Sequence, residues 1–227
     1  SELVYRLVDE WFIDMGQYYD KPRSEVTAEE KKASLRYQIM DRVDQANWYP
    51  SFGYDREMDW LRNMHDWMIS KKRYYGLALP IWECAECSQF TIIGDENDLQ
   101  ERAIEGWEEF QGHTPHRPFI DAIKIACPNC GSKVSRIADV GNPWLDAGIV
   151  GFSTMHFRLH PEYWRKWYPA DWISESFPGQ FRNWFYSLLA QSTVLSDEPP
   201  FLNLFGYALL LGEDGREMHK YRKLRFL

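Results

Sequence analysis

Asp66-Trp67-Met68-Ile69-Ser70-Lys71-Lys72-Arg73-Tyr74-Tyr75-Gly76, running on through Leu79-Pro80-Ile81-Trp82-Glu83 to Cys84, is the stretch that decides the fold. Trp67-Met68-Ile69-Ser70 reads as a strand and Lys71-Lys72-Arg73 as its basic exit. Upstream, residues 55–66 carry Met58, Leu61 and Met64 at helical spacing. Residues 24–46 read as a longer helix. Ser24 and Thr27 are candidate caps, Glu29, Glu30, Lys31 and Lys32 charge the first turns, and Trp48-Tyr49-Pro50 ends it. A strand is expected near Glu10–Asp14. Downstream, Val140 to Gly148 reads as turn-rich and Trp172-Ile173-Ser174 as a buried strand. Residues 180–196 read as a helix with Phe181, Trp184, Phe185, Leu188 and Leu189 on its apolar side. Leu202–Leu211 reads as an apolar strand before the turn Gly212-Glu213-Asp214-Gly215. Strands alternating with helices indicate an α/β fold.

The chain has 227 residues, enough for one large domain or two small ones. Aromatic residues make up 16%, a load that argues against intrinsic disorder. Lys and Arg number 26 against 34 Asp and Glu, a net charge of −8. That balance argues against a protein that coats phosphate generally, while leaving room for a local basic patch. No run approaches ~18 consecutive apolar residues, so no transmembrane helix is expected. Ser1-Glu2-Leu3-Val4 lacks the basic lead and cleavable apolar core of a secretory signal, and a chain opening on Ser is expected of an excised piece. A cytoplasmic, monomeric protein is the expectation.

The cysteines fall in two Cys-x-x-Cys pairs, Cys84/Cys87 and Cys127/Cys130. Two such knuckles can present four thiolates to one tetrahedral ion, and the spacing favours metal over disulfides. Zinc suits four sulfurs, and full coordination would make its role structural, because no position is left for water. Gly131, after the last Cys, allows the positive φ that a knuckle needs. Between the pairs, Asp95–Glu109 is acidic and is expected to hold a helix. Other readings are four reduced core cysteines, a rubredoxin-like iron site, and ligation by His113 or His116.

Several further segments share one pattern. Leu3-Val4-Tyr5-Arg6 and Trp11-Phe12-Ile13 open it, and the stretch from Asp66 to Cys84 continues it. His116-Arg117-Pro118-Phe119-Ile120-Asp121 and Val140-Gly141-Asn142-Pro143-Trp144-Leu145-Asp146-Ala147-Gly148 follow. Tyr168-Pro169-Ala170-Asp171, Ile173-Ser174-Glu175, Gln180-Phe181-Arg182-Asn183-Trp184-Phe185 and Gly215-Arg216-Glu217-Met218-His219-Lys220 complete it. In this order they resemble class I aminoacyl-tRNA synthetases, the isoleucyl type most closely. H-R-P-x-I-D is similar to the archaeal and eukaryotic form. The resemblance covers this chain and only part of the family's. The His-x-Gly-His half of the nucleotide fold, the editing domain and the anticodon-binding helices have no counterpart here.

The resemblance implies the C-terminal half of a Rossmann-type nucleotide-binding catalytic domain with a zinc-knuckle insertion. Residues 1–83 would follow the editing insertion, 84–133 would be the zinc-binding insert, and 134–227 would end at a degenerate ATP loop. Trp67 and Trp144 would wall the isoleucine pocket, and Glu175 and Gln180 would touch the aminoacyl-adenylate. Met218, His219 and Lys220 would lie in the mobile ATP loop, where lysine stabilises pyrophosphate charge. ATP with Mg2+, isoleucine and tRNA would be the whole enzyme's substrates. Four positions depart from the pattern. Ser176-Phe177-Pro178-Gly179 replaces G-x-D, Phe205 replaces a His, Lys71 replaces an Arg, and Tyr221 to Leu227 replaces S-x-G-N. The leading expectation is a piece of an isoleucine–tRNA ligase, inactive alone. The alternative is a zinc-stabilised, non-catalytic module that binds tRNA or a protein. A rubredoxin-like redox domain is the third reading.

Overall fold

The computed structural model describes residues 7–218. The chain divides into two compact units, one built from residues up to Ile13 together with Trp67–Asp146, the other from Asp14–Asp66 and the residues after Asp146.

The first unit is made of short antiparallel pairings. Phe12–Ile13 pairs with Trp67–Met68, and Ser70–Lys71 pairs with Val140–Gly141. Ile81–Glu83 and Phe90–Ile92 form a hairpin. Ala103–Glu105, Lys124–Ala126 and Lys133–Ser135 form a three-stranded sheet. Trp82, Leu99, Phe110, Ile123 and Ile125 are the centre of its core. A buried guanidinium ties the loops together. Arg136 donates to the Leu79 and Asp139 carbonyls at 3.0 and 2.8 Å and to Asp121 Oδ1 at 2.9 Å from Nε. Asp121 also accepts from Arg117 Nε at 2.7 Å. Burial acts to raise the Asp121 carboxyl, and the Arg117 and Arg136 guanidiniums outweigh it and hold the group below its ordinary range.

The second unit carries a parallel sheet in the order Ile173–Ser176, Asn203–Tyr207, Asn47–Tyr49. Helix Trp184–Ser196 lies between the first two in sequence, so they form a strand–helix–strand unit. Leu204 and Trp48 pair in register and are buried. Helix Leu35–Val43 buries Arg36, Ile39, Met40 and Val43 at helical spacing and packs on Trp184–Ser196. Arg36 donates to the Leu61 and Arg62 carbonyls, satisfying acceptors that helix Phe52–Asn63 leaves open at its end. Parallel strands with helices make the molecule mixed α/β. No helix among the described residues is long and apolar enough to cross a membrane.

Several expectations need correction. The helix expected over 24–46 is two helices, Ala28–Lys32 and Leu35–Val43. They part at buried Ser34, whose hydroxyl turns away to the Gln17 carbonyl at 3.0 Å. Thr27 does cap the first, in a reciprocal box with Glu30. The helix expected over 55–66 runs Phe52–Asn63. The acidic stretch holds two helices, Glu96–Arg102 and Trp107–Phe110, divided by a strand and by Gly106 at φ 82°. Val140 to Gly148 is a strand and a helix, Pro143–Gly148, rather than turns. Trp172 is 54% exposed, stacked on Phe205 at the mouth of its strand rather than within it. The final strand stops at Tyr207, and Leu209 to Leu211 are exposed.

Candidate functional site

The two cysteine knuckles fold alike. Cys84 follows strand Ile81–Glu83, and Cys127 follows Lys124–Ala126. In the first, Ser88 N–H donates to the Cys84 carbonyl at 2.9 Å and Cys84 N–H to Gln89 at 2.8 Å. In the second, Gly131 donates to Cys127 at 2.9 Å and Cys127 to Ser132 at 2.8 Å. Ser88 and Gly131 occupy the same left-handed position, at φ 57° and 73°. The glycine is legible in the sequence; the serine is not.

The four Sγ atoms lie within 4.8 Å of one another. Cys84 to Cys130 and Cys87 to Cys127 are each 3.6 Å apart, and all four thiols are free. Four sulfurs tetrahedrally placed about 2.3 Å from one ion would be roughly 3.8 Å apart, so the set can hold a single metal ion. Contact with the Ser132 hydroxyl, then its amide, pulls the Cys130 thiol down to about 6, while its partner Cys84, against the pull of the Cys87 amide, is pushed up to about 11 by burial and by the neighbouring sulfurs. Neither nearby histidine joins the set. His113 stacks on Phe119 at 3.9 Å, and His116 Nδ1 meets the Thr114 hydroxyl at 3.1 Å.

Trp67 and Trp144 belong to the same unit, and Asn142 ties their elements together. Its amide nitrogen donates to the Met68 carbonyl at 3.1 Å, its N–H to Ile69 at 2.7 Å, and its side-chain oxygen accepts from Trp144 N–H at 3.1 Å. Asn142 therefore caps helix Pro143–Gly148, with Pro143 at the first helical position. The Asn-Pro signal stands in the sequence, where it reads as a turn. Trp67 is buried and Trp144 half-buried. Asp146 faces Arg73 and His116; burial raises its carboxyl against their pull.

Glu175 and Gln180 lie in the second unit. Glu175 Oε1 accepts from Ser176 N–H at 2.6 Å and from the Tyr207 hydroxyl at 3.4 Å. Gln180 Oε1 accepts from Trp184 N–H at 3.3 Å, at the start of helix Trp184–Ser196. Phe177, between them, is buried over Gly206; a Cβ built there would lie 1.7 Å from its ring. Met218 lies outside regular structure, half-buried, and His219 and Lys220 lie outside the described residues. Sequence reading misses Asn142, Arg136 and the anchoring use of Arg117 and Asp121, which stand inside a recognised motif.

A family model described as tRNA synthetases class I (I, L, M and V) matches residues 2–224. The chain belongs to this family. Among curated class I synthetases, the isoleucine–tRNA ligase of Methanothermobacter thermautotrophicus is 33% identical over 221 residues, 97% of this chain and 19% of the relative. That of Methanothrix thermoacetophila is 36% identical over the same shares of each chain, 97% and 19%. That of Saccharolobus solfataricus is 31% identical over 97% of this chain and 20% of the relative. The chain thus spans about a fifth of the length of the synthetases it matches. Among solved structures, a ternary complex of Agrobacterium radiobacter K84 LeuRS with tRNA and LeuAMS matches with a TM-score of 0.48 and 20% identity, over 69% of this chain and 21% of that one.

Proposed function

We propose that this chain is part of an isoleucine–tRNA ligase. One observation carries the reading: 97% of the chain aligns with ligases of that name at 31–36% identity. In the whole enzyme an isoleucine carboxylate oxygen attacks the ATP α-phosphorus and pyrophosphate leaves. A tRNA hydroxyl then attacks the adenylate carbonyl and AMP leaves. No covalent enzyme intermediate forms, so the protein acts by positioning and by stabilising phosphoryl charge.

Residues 1–83 and 134–227 belong on this reading to the second half of a Rossmann-type catalytic domain, with 84–133 as the metal-binding insert. Cys84, Cys87, Cys127 and Cys130 hold a structural Zn2+. Trp67 and Trp144 wall the isoleucine side-chain pocket. Such a pocket separates isoleucine from valine by only ~1–3 kcal/mol. Glu175 and Gln180 face the adenylate, and Met218, His219 and Lys220 face the ATP phosphates, with Mg2+ arriving on ATP.

Isoleucine-dependent exchange of label between pyrophosphate and ATP, measured on the whole polypeptide that carries this sequence, tests the reading. Exchange with isoleucine above valine and leucine is expected. No exchange with any of the three sinks the ligase assignment. The 227-residue chain alone should be silent. A second reading, a zinc-stabilised module that binds tRNA or a protein without chemistry, draws support from Phe177. Its ring fills the carboxyl end of the parallel strands, where α/β sheets take their ligands. Exchange by the whole polypeptide would dismiss it.

A further inference from the structure

The cysteine sulfurs could be joined within the knuckles, or between them in either of two ways. The structure distinguishes these pairings. Cys84 Sγ lies 3.6 Å from Cys130 Sγ, and Cys87 Sγ lies 3.6 Å from Cys127 Sγ. The first cysteine of each knuckle thus touches the last of the other. Two like turns that face one another make this contact, and the matched hydrogen bonds at Cys84 and Cys127 make the turns alike. Cys84 and Cys127 are buried in one core with Trp82 and Ile125, so their places are set inside the unit.

A bond within a knuckle would leave the two hairpins unconnected. Bonds between the knuckles would join residues 46 and 40 apart in sequence. Closing long loops removes more freedom from the unfolded chain than closing short ones, so the crossed bonds would hold the insert together without an ion. A peroxide supplies the oxidation. One thiolate sulfur attacks a peroxide oxygen, the O–O bond breaks, hydroxide leaves and a sulfenic acid forms. The thiolate that already touches it attacks the sulfenic sulfur, the S–O bond breaks and a second hydroxide leaves. Two sulfurs have then lost two electrons, and one peroxide has gained them. Because the partner sulfur is already in contact, this second step is intramolecular and outruns capture by an outside thiol. The thiolate is the metal ligand, so forming both disulfides releases the ion.

We propose that the metal centre is a peroxide-sensitive switch whose oxidised form is cross-linked as Cys84–Cys130 and Cys87–Cys127, metal-free and still folded. It rests on the zinc assignment above. The test uses the whole polypeptide that carries this sequence, so that whatever borders the knuckles is in place. Excess hydrogen peroxide is added, zinc release is followed with a chromogenic chelator, and disulfides are mapped by digestion and mass spectrometry without reductant. One zinc ion should leave for each pair of disulfides formed. The peptide holding Cys84 should be linked to that holding Cys130, and the peptide holding Cys87 to that holding Cys127. Hydrogen-exchange protection at Ile81–Glu83 and Lys124–Ala126 should survive EDTA after oxidation and be lost to EDTA before it. Dithiothreitol with Zn2+ should restore the starting form. Links within the knuckles, the other crossed pairing, or sulfinic acids in place of disulfides would each overturn the proposal. So would zinc retained through the treatment, or hairpins that lose their protection on oxidation. Protein that carries no zinc beforehand would sink the metal assignment and the switch with it. Isoleucine-dependent exchange is scored separately, so each of these failures leaves the ligase reading standing.

Discussion

Glu57 is the residue whose chemistry is most at odds with its place. It lies on helix Phe52–Asn63, fully buried, and neither carboxylate oxygen meets a hydrogen-bond donor among the described residues. Burial alone pushes its carboxyl well above the ordinary range. The fold therefore favours the protonated form. Stability is greatest below the unfolded-state value and falls as pH rises above it, until the folded-state value is passed. Glu57→Gln keeps the shape and removes the ionisation. We expect it to stabilise the chain at pH 8, on the order of 1–3 kcal/mol, and to change little at pH 4. Urea melts at the two pH values measure this, and an equal difference at both would refute it. Nothing in the sequence marks Glu57, because a glutamate on a helix is normally solvated. Only the packing of distant elements decides that this one is not.

At the scale of elements, the strands that end at Ser176 and Tyr207 are fitted to one another by a missing side chain. Glu175 and Gly206 are register partners, and the ring of Phe177 lies where a Cβ on residue 206 would stand. Gly206→Ala must displace that ring and should cost roughly 1–3 kcal/mol. In a Phe177→Ala background the penalty should shrink, which a double-mutant cycle on thermal melts would read. Additive losses would show that the two do not touch.

Elements whose signals are local are legible in the sequence. Thr27 with Glu30 announces a helix start, and Cys127-Pro128-Asn129-Cys130-Gly131 announces a knuckle. The helix at Pro143 escapes sequence reading because Asn and Pro serve turns and helix caps alike, and the difference lies in where the Asn142 side chain finds its partners. Ser88 shows the converse, a left-handed position filled by a residue that does not advertise it.

For the whole molecule, motif order points to the family, while the pairing of distant strands is invisible. No local feature of Asn47-Trp48-Tyr49 names Asn203 to Phe205 as its neighbours. The division into units does bear on the metal. The four sulfurs all lie in the first unit, at the ends of its hairpins. A chelator should strip hydrogen-exchange protection from Ile81–Glu83, Phe90–Ile92, Lys124–Ala126 and Lys133–Ser135 while the parallel sheet of the second unit keeps its own. Unchanged protection at the hairpins would sink a structural metal.

Asn47 and Asn203 join side chains across 156 residues of sequence. At ~5–20 residues per second of synthesis, that separation is roughly 8–30 s on the ribosome. Within that interval the first unit gains residues 67–146, while Trp48 has emerged ahead of Asn203–Phe205, the strand it lies beside here. Throughout that interval the nascent chain carries Trp48 without the strand that it lies beside here, the kind of surface that chaperones hold.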